Sequence, residues 1–394
     1  MEKGYKILGN YIRLVDERNK NLAVTKLLGV SISKKFIPSI ANIVGTDLSN
    51  YKIVRTGQFA YGPVTSRNGE KISIAYLDEE DCIISSSYTV FEVENKEELD
   101  PEYLMLWFSR PEFDRYARYK SHGSVREIFD WNELCMVELP VPDIEKQRKI
   151  VKAYKTITDR IALKQKINDN LVACIDTIFN EQFGNFKALA ESSTANTDFS
   201  SLPDGWTIEN AVHSFDISIG KTPPRSEPEW FTSNQTDNVW ISIADMKTNS
   251  PFIFKSAEYL TNEAVKKHNV KIVPANSVLL SFKMTVGRVA IVTNEVTTNE
   301  AIAHFPCTKE NLFFVYCYLK NFNYGYLGST SSITTAINSK IIKEMPFLMP
   351  SKKELDLFNH KVSGLFEQLK YISKELDILE ELSKMLLPQL LGHC

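Results

Sequence analysis

Two long helical patterns dominate the distribution of apolar and polar positions. The first opens after Leu139-Pro-Val-Pro142, where Asp143 can cap a helix and Glu145 suits its first turn. A side-chain oxygen there satisfies free backbone N–H groups, and a negative charge faces the positive end of the helix dipole. Apolar residues then recur in steps of four and three: Ile150, Tyr154, Ile157 and Ile161, then Leu171, Ile175 and Ile178 after the polar Lys164 and Asn168. Gly184 predicts the end. The second pattern opens at Ser351, which forms an S-x-x-E capping box with Glu354. Its seam reads Phe358, Val362, Leu365, Leu369, Ile372, Leu376, Leu379, Ser383, Leu386 and Leu390, with Pro388 and Gly392 as stops. Each pattern runs about 35–40 residues, or roughly 55 Å. That exceeds the width of a small domain, so the helices are predicted to bridge domains and pair with each other rather than rest on separate cores. Lys164 and Asn168 are predicted to fix the register of that pairing.

Between the helical patterns lie short β-branched or alternating runs, at 71–77, 82–85, 88–93, 239–243, 277–282 and 288–292. In each half a helix follows, from Pro101 to about Arg110 and from Glu310 to about Asn321. Each half then reaches a Gly-Ser turn, Gly123-Ser124 and Gly328-Ser329. The order of elements therefore repeats roughly 205 residues further on. A polar, Ser/Thr-rich stretch, Ala190 to Ser201, separates the halves. The expected fold is α/β (α+β). A globular domain covers 1–142, a long helix 143–184, a linker 185–201, a second globular domain 202–350 and a second long helix 351–394. Tandem halves with domains at both ends call for an antiparallel coiled coil and a pseudo-twofold arrangement.

Composition narrows the function. No apolar run approaches the ~18 residues of a membrane span, and the N-terminus lacks a signal-peptide core. Both point to the cytoplasm. The cysteines at 82, 135, 174, 307, 317 and 394 form no C-x-x-C pair, which fits reduced thiols. The net charge of −3 excludes a bulk polycation, but the charge is uneven. Residues 77–102 hold ten acids against Lys96, whereas 265–290 hold Lys266, Lys267, Lys271, Lys283 and Arg288 with no acid. Arg110, Arg115, Arg118, Lys120 and Arg126 outnumber Glu112 and Asp114 in 110–126. A polyanion-binding face with an acidic back fits this distribution; ordinary solvated surface fits it equally well.

Enzyme motifs fail on inspection. Gly220-Lys-Thr222 resembles the end of a phosphate loop, but Phe215 stands where the earlier glycine belongs and Pro223-Pro224 block the helix start. Capping explains Asp143 and Glu145. The six histidines, at 122, 213, 268, 304, 360 and 393, show no metal-ligand spacing. There is neither an Asn-Pro-Pro-aromatic methyltransferase box nor a glycine-rich cofactor fingerprint. No residue is nominated as catalytic or metal-binding.

Several stretches together carry a family resemblance. They are Leu202-Pro-Asp-Gly-Trp206, Gly220-Lys-Thr-Pro223 with Trp240-Ile-Ser-Ile-Ala-Asp245, Gly328-Ser-Thr330 with Ile341-Ile-Lys-Glu-Met-Pro346, and Leu139-Pro-Val-Pro142 followed by Glu145-Lys-Gln-Arg-Lys-Ile-Val151. In this order and doubling, the chain resembles the DNA-specificity subunit of type I restriction-modification enzymes. The first half departs in lacking the Leu-Pro-x-Gly-Trp start, and Lys352-Lys-Glu-Leu lacks the Gln-Arg pair found after Glu145. The resemblance implies two target recognition domains, each reading one half of a bipartite sequence in double-stranded DNA. It also implies that the helices set the spacer and dock two methyltransferase subunits, to which restriction/translocase subunits can be added. It implies no chemistry or cofactor on this subunit, with S-adenosylmethionine, ATP and Mg expected on the partners.

Lys and Arg on phosphates should give affinity, and side chains at base edges specificity. Loops after strands are the places expected for both. The candidates for DNA contact in the first domain are Arg55, Tyr61, Arg67, Lys71, Lys120, His122 and Arg126. In the second they are Lys221, Thr222, Arg225, Lys283, Thr285, Arg288, Thr330 and Ser331. The rival readings are a coiled-coil scaffold or adaptor without DNA specificity, and a hydrolase built on the second domain.

Overall fold

The computed structural model describes residues 4–39, 45–66, 68–123, 126–192, 200–247, 250–327 and 337–392. The chain divides into two compact units, one of Met1–Arg160 with Glu380–Cys394, the other of Ile161–Leu379. The long helices span Ile144–Glu191 and Lys352–Leu391, so each contributes a segment to each unit.

In the first unit a four-stranded antiparallel sheet runs in the order Ile12–Val15, Thr89–Val93, Phe59–Tyr61, Ile74–Tyr76. Its core rests on the helix Pro101–Phe108, which Asp100 caps by accepting from Glu102 N and Tyr103 N. The strands Tyr5–Ile7 and Glu138–Pro140 pair beside it, and Tyr103 OH donates to Pro140 O at 2.9 Å. Asp143 caps the long helix through Lys146 N, as its position suggested. One turn in, the fully buried Gln147 donates to Glu98 O and Pro142 O (2.9 and 2.8 Å) and accepts from Asp100 N (2.9 Å). Three bonds satisfy an amide that burial would otherwise penalise. Ile150 and Val151 share the core with Leu387 and Leu391 of the other long helix, and Ser383 donates to the Tyr154 hydroxyl at 3.2 Å.

The second unit repeats this frame around different sheets. Thr207–Asn210 pairs with Pro346–Met349, and Tyr318 OH, on the helix Leu312–Asn321, donates to Pro346 O at 2.9 Å. A five-stranded sheet is ordered Ser218–Ile219, Ile302–Pro306, Ser277–Ser281, Val289–Val292, Phe252–Ile253. A four-stranded sheet is ordered Phe231–Thr232, Glu258–Leu260, Asn238–Ile241, Thr297–Thr298. The helices meet here with opposite direction: Gln182 donates to Glu354 (3.0 Å) and Lys164 pairs with Glu375 (2.7 Å), so positions rise along one helix as they fall along the other. Asn168 is buried at the middle of this seam.

Of the seam positions, Ile150, Ile175, Phe358, Val362, Leu369, Ile372 and Leu379 are buried. Tyr154, Ile157, Ile161, Leu171, Ile178, Leu365, Leu376 and Leu386 are partly covered. The helices do not choose between pairing and resting on domain cores; they do both. Phe179 and Phe183 pack on Phe314 of the globular part as well as on Phe358, and Phe366 stacks on Phe313 at 4.1 Å. Two predicted stops also give way. The first helix passes Gly184 and ends at Glu191, since Phe183 and Phe186 close on Trp206 at 5.7 and 4.7 Å and Glu191 accepts from Asn323 N at 2.7 Å. Such packing outweighs the ~1 kcal/mol that glycine costs within a helix. The second helix includes Pro388 and stops only at Gly392, which has φ +83°.

Candidate nucleic-acid interface

In the first unit two loops meet. Isolated bridges join Val64 to Ile128 and His122 to Ile128, and Thr65 donates from N to Glu127 O (2.9 Å) and from its hydroxyl to the Ser121 hydroxyl (2.9 Å). The segment before Lys71 is thereby held beside the turn carrying Lys120, His122 and Arg126. Gly123 makes that turn possible: its φ is +136°, and a Cβ there would lie 2.1 Å from Arg126 O. Lys71 and Arg126 are exposed, and so is His122, whose ring is 3.8 Å from Glu133. Lys120 pairs with the same Glu133 at 3.4 Å. Sequence reading missed Lys34, at the tip of the hairpin Leu28–Val30/Phe36–Pro38. Its ammonium contacts Asp114 at 2.5 Å, and Asp114 also accepts from Ile72 N. Burial holds Lys34 below the usual lysine range even though Asp114 opposes it, and the charge of Lys71 adds to the lowering. No local spacing announces this contact, which joins positions 80 residues apart.

Two first-unit candidates do not fit. Tyr61 is fully buried, with the rings of Phe91 and Phe129 edge-on at 6.2 and 6.4 Å, so it builds the core. Arg55 lies just after the strand Lys52–Val54, gripped by Glu17 and by Asp81 (2.7 Å), so its charge is neutralised on the acidic side. Arg67 lies outside the described residues, as do Thr330 and Ser331 of the second unit.

In the second unit the loop holding Lys221, Thr222 and Arg225 and the hairpin holding Lys283, Thr285 and Arg288 both bond to the segment 298–302, the hairpin through Phe282 N to Ala301 O. Gly220 N donates to Ile302 O and Lys221 N to Thr298 O. A Cβ at Gly220 would lie 2.1 Å from both Asn299 O and the Thr298 hydroxyl, so only glycine allows this approach. Thr222 donates to Glu300. Burial would raise the Glu300 carboxyl, but the bond from Thr222, its own backbone N–H and the charges of Lys283 and Arg225 outweigh it and hold it low. Arg225 forms a fork with Glu258 (2.7 and 2.8 Å) and stacks over Phe231 and Trp240 at 3.9 and 4.8 Å. Lys221, Lys283 and Thr285 are exposed. Arg288 instead braces the hairpin, donating to Ile243 O at 2.7 Å.

His304 lies beneath these loops, fully buried, with its two ring nitrogens 2.9 Å from the Ser218 hydroxyl and 2.7 Å from the Thr298 hydroxyl. Burial, aided by the charge of Lys271, lowers its pKa to about 4. A neutral, enclosed imidazole of this kind ties its own strand to Ser218–Ile219 and Thr297–Thr298, the strands on either side of Gly220. Among the described residues, no three His, Cys, Asp or Glu side chains gather as a metal site, and no helix is long and apolar enough to cross a membrane.

The model of the type I restriction modification DNA specificity domain matches residues 32–173 and again 214–384. The chain belongs to this family. Its two specificity domains account for the repeated order of elements. The chain is 23% identical to the specificity subunit of the type I restriction enzyme HindI from Haemophilus influenzae, over 92% of each chain. It is 23% identical to the MjaIX specificity subunit from Methanocaldococcus jannaschii, over 73% of this chain and 68% of that one. The crystal structure of a type I restriction-modification S subunit from M. genitalium shares the fold, with a TM-score of 0.56 and 14% identity over 99% of this chain and 96% of that one.

Proposed function

We propose that the protein is the DNA-reading, non-catalytic subunit of a cytoplasmic type I restriction-modification complex. The observation that carries this reading is the double match of a DNA-specificity domain to a chain whose two units each join basic loops at one place. Each unit reads one half of a bipartite duplex target, because lysines and arginines on phosphates set the position and neighbouring side chains meet base edges. The long helices set the gap between the half-sites and dock two methyltransferase subunits. Apolar residues left exposed on the second long helix support docking, with Tyr371 and Ile378 in the second unit and Leu382 and Met385 in the first. S-adenosylmethionine belongs to the methyltransferases, and ATP and Mg to restriction subunits that join them.

Duplex binding by the chain together with its methyltransferase subunits tests the proposal. Binding that prefers one sequence and weakens with salt is expected. Equal affinity for all sequences would point to a scaffold, and cleavage of nucleic acid by the subunit alone to a hydrolase. Adding one helical turn to both long helices, about 5.4 Å, should change the recognised gap by one or two base steps of about 3.4 Å.

A further inference from the structure

The hairpin joining Ser277–Ser281 to Val289–Val292 carries a bulky apolar residue at its tip. Met284 is 98% exposed, more than any other large apolar side chain among the described residues. It also has φ +56°, a left-handed backbone that L side chains rarely adopt. An apolar side chain held out in a conformation that disfavours it has no role in the core, and the hairpin supports it firmly. The Ser281 hydroxyl donates to Thr285 O (2.5 Å) and accepts from Arg288 N (3.0 Å), while Gly287 N donates to Ser281 O (2.9 Å). Gly287, at φ +87°, lies so close to the ring of Tyr324 that a Cβ would come within 3.1 Å. Tyr324 is in turn tied by its hydroxyl to Leu319 O at 2.7 Å. The flanking Lys283 and Thr285 are exposed, and Lys283 shares the field of Glu300 with Arg225.

A rigid apolar prong between a cation and a hydroxyl has the chemistry of a wedge that enters a base step. The lysine holds a phosphate, and the thioether chain fills the space opened between two stacked bases. We propose that Met284 inserts into a base step of the half-site read by the second unit, opens that step, and makes the choice of sequence there depend on how easily it unstacks. This inference rests on the DNA-reading function proposed above.

The test uses the full chain copurified with its methyltransferase subunits. The probes are duplexes carrying the target mapped from its methylation, with 2-aminopurine placed at each adenine of the half-site in turn and at neighbouring steps. Binding of the unaltered complex should brighten the probe at one step, because an unstacked 2-aminopurine fluoresces more strongly. Met284→Gly relieves the backbone conformation, so the chain should melt no lower than the parent. It should nevertheless lose the brightening and about tenfold in affinity for the target, with unrelated duplexes bound as before. Met284→Leu should keep the brightening. Lys283→Ala should weaken binding to all duplexes alike. A parent complex that binds its target without brightening at any step overturns the wedge and leaves the DNA-reading function standing; so does a glycine variant that brightens and binds like the parent. A parent complex without sequence preference overturns both.

Discussion

The two units share a frame and differ in what the frame holds up. In both, an early strand pairs with the strand that precedes a long helix, and a helix tyrosine donates to a proline carbonyl at 2.9 Å, Tyr103 to Pro140 and Tyr318 to Pro346. Beyond this frame the sheets diverge. The first unit joins its basic loops through the bridges of Val64 and His122 to Ile128 and the bonds of Thr65 to Glu127 and Ser121. The second joins them through Gly220, His304 and a threonine-bound Glu300. The frame must present the same face to the long helices in both halves, whereas the loops are free to differ. Two unlike readers on one support are what an asymmetric, split target requires.

That contrast can be broken at several points. Gly220→Ala should have the largest effect, since the added carbon meets backbone and a buried hydroxyl at 2.1 Å. A loss of about 3 kcal/mol or more is expected in the second unit, read as a lower melting transition, with binding to the second half-site lost and the first retained. A melt that left the transition in place would show that the loop does not need its close approach.

Acid should act next, and through the second unit. His304 has a folded pKa of about 4 against an ordinary value of 6.5. Between these values the unfolded chain binds the proton and the folded one does not, so stability is fully present above about pH 6.5 and falls as pH drops towards 4. The loss amounts to about 3 kcal/mol. Melts from pH 7.5 to 4.5 should show it in the parent, and the His304→Gln variant should show a flatter profile; equal slopes would contradict the assignment.

Gln147→Ala should cost about 2 kcal/mol by leaving Asp100 N, Glu98 O and Pro142 O without their partner. Denaturation should show the change in the first unit, whose frame the amide ties to its long helix. The smallest effects separate two cations of that unit. Lys71→Ala should weaken binding to every duplex and lower the salt slope by about one. Arg55→Ala, already neutralised by Glu17 and Asp81, should leave DNA affinity within about twofold. Equal losses for the two would place DNA on the acidic side.

The frame was legible in the sequence because helix periodicity and caps are local. Asp143, the heptad seam and the repeated order of elements could all be read from spacing. The helix ends could not, because Phe186 on Trp206 and Glu191 on Asn323 carry the chain past Gly184 through contacts with distant residues. Charge pattern identified Lys71, Lys221 and Lys283 as exposed cations, but it could not separate Arg55, whose carboxylates arrive from Glu17 and Asp81, from a free one. The burial of Tyr61 is not legible, because a tyrosine before a glycine-rich loop gives no sign of the Phe91 and Phe129 rings that enclose it. The Lys34–Asp114 contact and the Met284 prong depend on backbone twists at non-glycine residues, φ +64° and +56°, which no residue type announces.

Genome-wide mapping of methylated bases made by the chain with the methyltransferase subunits proposed to join it tests the central claim most directly. Two unlike half-sites separated by a constant gap are predicted, with substitutions in the Lys71–Arg126 loops altering one half and those in the Lys221–Lys283 loops the other. A single continuous motif, or two identical halves, would contradict the account.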